Sequence, residues 1–213
     1  MSQNPRPLTT HLLYLHGFRS SPQSFKARRM ADWVQCHRPD LVFWCPQLPP
    51  SPAEAMALVR QGTAGWPAAS SVVMGSSLGG FYASVVAEAT GWPALVINPA
   101  VDPARDLARH IGQQTSWHDP QDTFFFREAF IDELRDMAPA SLSRPERYAA
   151  VVATGDEVLD WQEMAAWHAR SQLRVVQGGD HALSDLDPHW DFITHFLHLQ
   201  PTSPTPQGST PCA

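Results

Sequence analysis

Lysine is almost missing from this chain. Lys26 is the only one among the 15 basic residues of a 213-residue sequence. No run of Lys or Arg is present, and the net charge is −6, so nucleic acid is not an expected partner. A phosphate-binding loop with a lysine after its glycines is absent as well. Cysteine is scarce: Cys36, Cys45 and Cys212 are odd in number and lack metal-ligand spacing. They read as reduced thiols of a cytoplasmic protein, with no metal site. No apolar stretch reaches the roughly 18 residues that a membrane-spanning helix needs. The first ten residues hold no charged segment followed by an apolar run, so no secretory signal is legible. No internal repeat is present. The chain does have 43% hydrophobic and 10% aromatic residues, enough to bury a sizeable core. That suits one domain over 1–200.

Short apolar runs punctuate the chain at 11–15, 41–45, 72–74, 94–97, 148–154 and 173–176. None alternates with period two, which is the pattern of strands buried on both faces. Helical spacing fills most gaps between them. Pro22 and Ser21 suggest a helix start running to about Cys36. Ser51-Pro52, with Glu54 three residues after the serine, signals a capped helix to about Gln61. Helices are also expected over 78–90, 161–170 and 188–199. Strands alternating with helices predict an α/β fold, a mostly parallel sheet with helices on both faces. Residues 103–147 break the rhythm and read as a small helical insertion over the carboxyl ends of the strands. An amphipathic segment is expected there over 124–134. Residues 201–213 contain four prolines and no large apolar side chain, the composition of a disordered tail.

The stretch that organises the rest is Val72-Val73-Met74-Gly75-Ser76-Ser77-Leu78-Gly79-Gly80. It reads as a buried strand turning sharply into a helix, with Gly75 and Gly79 around Ser77 in the pattern G-x-S-x-G. Glycines let the strand and helix approach closely, and the serine hydroxyl then stands at the tip of the turn. A Gly-rich strand-to-helix turn also suits phosphate, so the pattern needs partners before it means a nucleophile. Ser77 requires a base, because its hydroxyl is un-ionised at neutral pH. His181, in the Gly178-Gly179-Asp180-His181 loop after the last strand, is the candidate; His195 and His198 read as surface histidines. A carboxylate must orient the imidazole. Asp156 closes the preceding strand, with Glu157, Asp160, Asp180 and Asp185 as competitors. The order serine, aspartate, histidine is that of the α/β-hydrolases. Oxyanion donors are expected from the backbone N–H groups of Leu78 and of Phe18, in His16-Gly17-Phe18 after the first strand. His16 itself reads as structural.

The segments Tyr14-Leu15-His16-Gly17-Phe18-Arg19-Ser20-Ser21-Pro22, Gly75-Ser76-Ser77-Leu78-Gly79-Gly80, Thr154-Gly155-Asp156-Glu157-Val158-Leu159-Asp160 and Gly178-Gly179-Asp180-His181 together resemble the YqiA-type bacterial esterases. The resemblance runs in element order from about His11 to Leu199. It implies a small α/β-hydrolase acting on carboxylic esters or acyl thioesters, with Ser77, Asp156 and His181 at the triad positions. A small acyl substrate would be the partner, and the acyl-transfer chemistry requires no cofactor. Trp117, Phe124, Phe125 and Phe130 are candidates to line an acyl pocket, or else pack the insertion. Arg19 and Arg127 read as solvated, or as contacts for an anionic leaving group. A rival expectation is a non-catalytic binding or scaffold protein on the same fold.

Overall fold

A computed structural model describes residues 7–201. Apart from Pro201, the expected tail therefore lies outside the described residues, as does Cys212. The elements in chain order are β1 (His11–Leu15), α1 (Phe25–His37), β2 (Val42–Trp44), α2 (Pro52–Thr63), β3 (Ser71–Ser76), α3 (Leu78–Thr90) and β4 (Ala94–Ile97). They continue with α4 (Pro103–Leu107), β5 (Gly112–Thr115), β6 (Thr123–Phe126), α5 (Ala129–Met137), β7 (Tyr148–Ala153), α6 (Trp161–Trp167), β8 (Gln172–Val176) and α7 (Trp190–Phe196).

The main sheet is 6-stranded, in the order β2-β1-β3-β4-β7-β8, and every pairing in it is parallel. Successive side chains on a strand point to opposite faces, and here both faces are covered. On one face Leu13, Leu15, Val73, Val96, Ala150 and Val152 pack against α2, α3, α5 and α6. On the other Leu12, Tyr14, Val72, Met74, Leu95 and Val151 pack against α1 and α7. That is why the strands read as unbroken apolar runs.

Local rules explain the helix starts. Ser51 caps α2, its Oγ accepting from the N–H of Glu54 at 3.2 Å, with Pro52 in the first turn. The expected reciprocal acid is not Glu54. Glu133 of α5 fills that place, accepting from Ser51 Oγ at 2.7 Å and from the Ala53 N–H at 2.9 Å. A carboxylate at a helix N-terminus is favoured by the helix dipole, and this one also fastens α5 to α2. Helix α1 starts later than Pro22 suggests, at Phe25.

The region 103–147 is not purely helical. The antiparallel pair β5 and β6 forms a separate 2-stranded hairpin within it. The expected amphipathic segment over 124–134 divides accordingly: Phe124, Phe125 and Phe126 belong to a strand, and the helix begins at Ala129. Three consecutive aromatics favour strand, and with no polar residue between them their period-two alternation is invisible in the sequence.

The cysteines also depart from expectation. Cys36 is disulfide-bonded, and Cys45 is the free cysteine among the described residues. Pairing depends on which Cα atoms the fold brings together, which sequence spacing does not reveal. Burial pushes the Cys45 thiol up to about 12. Among the described residues no helix is long and apolar enough to cross a membrane.

Candidate active site

Four strand ends meet at the carboxyl rim of the sheet, where ligands of parallel α/β folds bind. At the centre, β3 turns into α3 around Ser77. Its backbone is left-handed, with φ 56° and ψ −126°. Such a conformation in a residue with a Cβ costs on the order of 1–3 kcal/mol and persists only where the surroundings impose it. Here the Ser77 N–H donates to Ile97 O at 3.0 Å. Its carbonyl accepts from the N–H groups of Gly80 at 2.9 Å and Ala100 at 3.1 Å. The turn is possible because its glycines leave no room for a side chain. A Cβ on Gly75 would lie 2.0 Å from Gly79 O, and one on Gly79 would lie 1.9 Å from Leu15 O.

His181 lies within reach. Its Nε2 is 3.0 Å from Ser77 Oγ, and its Nδ1 is 2.7 Å from Asp156 Oδ2. A carboxylate only accepts at Nδ1, so Nδ1 carries the hydrogen and Nε2 is left to accept from the serine hydroxyl. The Asp156 side chain is fully buried, and that of His181 is 20% exposed. Asp156 is itself held, with Oδ1 accepting from the N–H groups of Val158 and Leu159, both at 2.8 Å. The competing acids do other things. Glu157 accepts from the His181 backbone N–H at 3.0 Å, Asp160 caps α6 through the Gln162 N–H, and Asp180 accepts from the Ser184 N–H.

The loop after β1 presses against the serine. A Cβ on Gly17 would come within 3.2 Å of Ser77 Cβ. His16 pins that loop: its Nε2 accepts from the Leu48 N–H at 3.1 Å, so its Nδ1 donates to Gly17 O at 3.0 Å. Burial lowers its pKa, which keeps the ring in the neutral form this arrangement needs. The backbone N–H groups of Phe18 and Leu78 donate to no protein group among the described residues. The Phe18 ring is braced edge-on by Phe126 and Phe124, at 5.1 and 5.9 Å between centroids. The hairpin tip is fastened to the same loop. Arg19 Nε donates to Thr115 O at 2.6 Å, its guanidinium lies 4.1 Å above the Trp117 ring, and the Trp117 N–H donates to Arg19 O at 2.8 Å.

The four aromatic candidates for a pocket separate. Trp117 and Phe124 line clefts beside the loop after β1. Phe125 points to solvent, 62% exposed, because strand alternation turns it away from Phe124 and Phe126. Phe130 is buried against Phe126 in the core. Arg127 is exposed and its guanidinium lies over Phe130, away from the serine.

Asn98, which reads in the sequence only as a strand terminator, ties three strand ends together. Its Oδ1 accepts from the Ala153 N–H at 2.8 Å, and its Nδ2 donates to the carbonyls of Asp180 and His181, both at 3.0 Å. It is fully buried, and its backbone is left-handed (φ 39°), a conformation that asparagine tolerates better than most residues.

A family model described as an uncharacterised protein family, UPF0227, matches residues 11–198. Among solved structures the chain is similar to a candidate hydrolase from Agrobacterium vitis S4, at 16% identity and TM-score 0.70 over 90% of this chain and 91% of that one. It is similar to alpha/beta hydrolase domain-containing protein 10 from mouse, at 16% identity and TM-score 0.63 over 88% of each chain. The esterase domain of a Rhodothermus marinus protein matches at 16% identity and TM-score 0.63, over 92% of this chain and 89% of that one. Likeness at such identities carries the fold, and the fold is that of the α/β-hydrolases.

Proposed function

The chain belongs to UPF0227, the YqiA-like family, and from that premise and the geometry of the sheet rim we propose that it is a serine hydrolase cleaving carboxylic esters or acyl thioesters through an acyl-enzyme on Ser77. One observation carries the reading: a single imidazole joins Ser77 Oγ and Asp156 Oδ2, at 3.0 and 2.7 Å, across 104 and 25 positions of sequence. In this reading residues 103–147 are an insertion in one hydrolase domain.

His181 Nε2 takes the Ser77 proton as Oγ attacks the carbonyl carbon. The carbonyl oxygen becomes an oxyanion that accepts from the N–H groups of Phe18 and Leu78. Neither N–H is engaged by a protein group among the described residues, and α3 adds its positive end behind Leu78. Collapse of the tetrahedral intermediate expels the alcohol or thiol, which receives the proton from Nε2. Water then repeats the sequence on the acyl-enzyme, and its proton returns through His181 to Ser77. Asp156 stabilises the imidazolium as it forms, and is itself held by the N–H groups of Val158 and Leu159.

The test is turnover of 4-nitrophenyl butyrate, with covalent labelling by a fluorophosphonate. Ser77→Ala is expected to lower kcat by at least about 1,000-fold and to abolish labelling. Undiminished turnover, or label found on another residue, would reject the assignment. An intact chain that neither labels nor turns over any ester would favour a non-catalytic binding protein.

A further inference from the structure

Two clefts of about 460 Å³ each meet at Ser77, sharing Phe18, Ser77, Trp117, His181 and Ala182. They differ in chemistry. One has an apolar wall of Leu78, Ala100, Pro103, Leu107, Val158 and Leu159, and a charged border of Arg19, Asp106, Arg109, His110 and Glu157 that carries both signs. The other, toward α1, is walled by Tyr14, Ser20, Ser24, Lys26, Ser76 and Ser184. Each of these carries a hydrogen-bond donor.

Two of those groups are unusual. Tyr14 is fully buried, and its hydroxyl has no hydrogen-bond partner among the described residues. Leaving a buried hydroxyl unpaired costs about 1–3 kcal/mol, so the position calls for an acceptor. Burial raises the phenol's pKa, which keeps it a neutral donor. Lys26, the only lysine of the chain, projects from α1 into the same cleft. Its ammonium donates to Ala182 O, next to His181, and forms no ion pair among the described residues. An ammonium has three donors, so two remain. The acids that face it are engaged elsewhere: Asp156 with His181, Val158 and Leu159, and Asp180 with Ser184. Burial lowers the Lys26 pKa to about 8 against the pull of Asp180 and Asp156. No arginine lines this cleft: Arg19 is spent on Thr115 and Trp117, Arg127 lies over Phe130, and Arg109 borders the other cleft beside His110.

Resting on the hydrolase reading, we infer that the α1-side cleft receives an anionic oxygen-bearing group of the substrate, a carboxylate or phosphate, held by the Lys26 ammonium and the Tyr14 hydroxyl. The natural substrate is then an ester or thioester with one charged end near the scissile bond and one apolar end. The apolar end lies against the Leu78, Leu107 and Val158 wall of the opposite cleft. Lys26 sets specificity and takes no part in the bond-making steps.

Binding in the Ser77→Ala background tests this apart from catalysis. Calorimetry compares two matched pairs. Phenyl hemisuccinate against phenyl levulinate places the charge on the acyl side. 4-Carboxyphenyl butyrate against 4-acetylphenyl butyrate places it on the leaving group. In one pair the anionic member is expected to bind about tenfold more tightly, adding Lys26→Met is expected to erase that ratio, and Lys26→Arg to retain it. Tyr14→Phe is expected to reduce the ratio severalfold, and it reads the same site if the Lys26 variant does not fold. Equal binding within both pairs overturns the inference. So does a Lys26→Met loss that is equal for charged and neutral members, which would make Lys26 a support of the His181 loop alone. Turnover of the same esters by the chain with Ser77 intact reads the hydrolase proposal separately. Discrimination in binding without turnover would reject the Ser77 chemistry and leave the anion site standing.

Discussion

At the scale of single residues, the rim is built from side chains held where they would not go unaided. Ser77 sits at φ 56°, a cost imposed by its backbone hydrogen bonds to Ile97, Gly80, Phe81 and Ala100 and by the close approach of Gly17. Replacing it with glycine relieves the strain of roughly 1–3 kcal/mol and adds about 0.4–1 kcal/mol of unfolded-state entropy. Ser77→Gly is therefore expected to stabilise the protein by about 1 kcal/mol in urea unfolding while losing fluorophosphonate labelling entirely. A destabilised Ser77→Gly would mean that the elbow is not strained. Asn98 illustrates the complementary case. Its three hydrogen bonds run to Ala153, Asp180 and His181, far apart in sequence. Nothing local to residues 94–99 announces that role, because the bonds exist only once β4 lies beside β7.

At the scale of elements, the β3–α3 elbow was the most legible part of the chain. Its signal is glycine spacing, and the cause is contact: Gly75 and Gly79 lie against Gly79 O and Leu15 O at distances no Cβ tolerates. Gly17 is different, because a Cβ there meets Ser77 at 3.2 Å, which a small shift of the loop relieves. Gly79→Ala is thus expected to cost more than about 3 kcal/mol or to prevent folding, since backbone atoms must move. Gly17→Ala is expected to fold with near-normal stability and to lose about tenfold or more in kcat, because the N–H of Phe18 shifts. Thermal melts beside ester turnover check both, and an equal stability loss in the two variants would contradict the contact argument. The β5–β6 hairpin was the least legible element. Its strand Thr123–Phe126 buries Phe126 and exposes Phe125, an alternation that three identical residues conceal.

For the molecule as a whole, acid stability is set in part by a histidine far from the rim. His168 is 1% exposed, its Nδ1 has no hydrogen-bond partner among the described residues, and burial lowers its pKa to about 4. In the unfolded chain it titrates near 6.5. Above that value the ring is neutral in both states and no stability is lost. As the pH falls toward 4 the unfolded state takes up a proton that the folded state refuses, so stability drops. The contribution is about 2–3 kcal/mol between pH 7 and pH 4. Urea unfolding of His168→Leu at the two pH values is expected to show a drop smaller by that amount. An identical drop in both proteins would place the acid sensitivity elsewhere.

The sequence by itself determined the parallel α/β layering, the elbow around Ser77 and the four polar strand ends. Hydrophobic period, glycine spacing and proline breaks act within a few residues, so they are readable without coordinates. Only the tertiary structure decided which of five nearby acids meets the His181 ring, that Glu133 supplies the second cap of α2, and that Cys36 is disulfide-bonded. It alone turned Phe124 and Phe125 to opposite sides of a strand, and set Lys26 and Tyr14 in one cleft. These are contacts between segments tens of residues apart. Their distances are fixed by strand order and helix packing, and no local pattern encodes them.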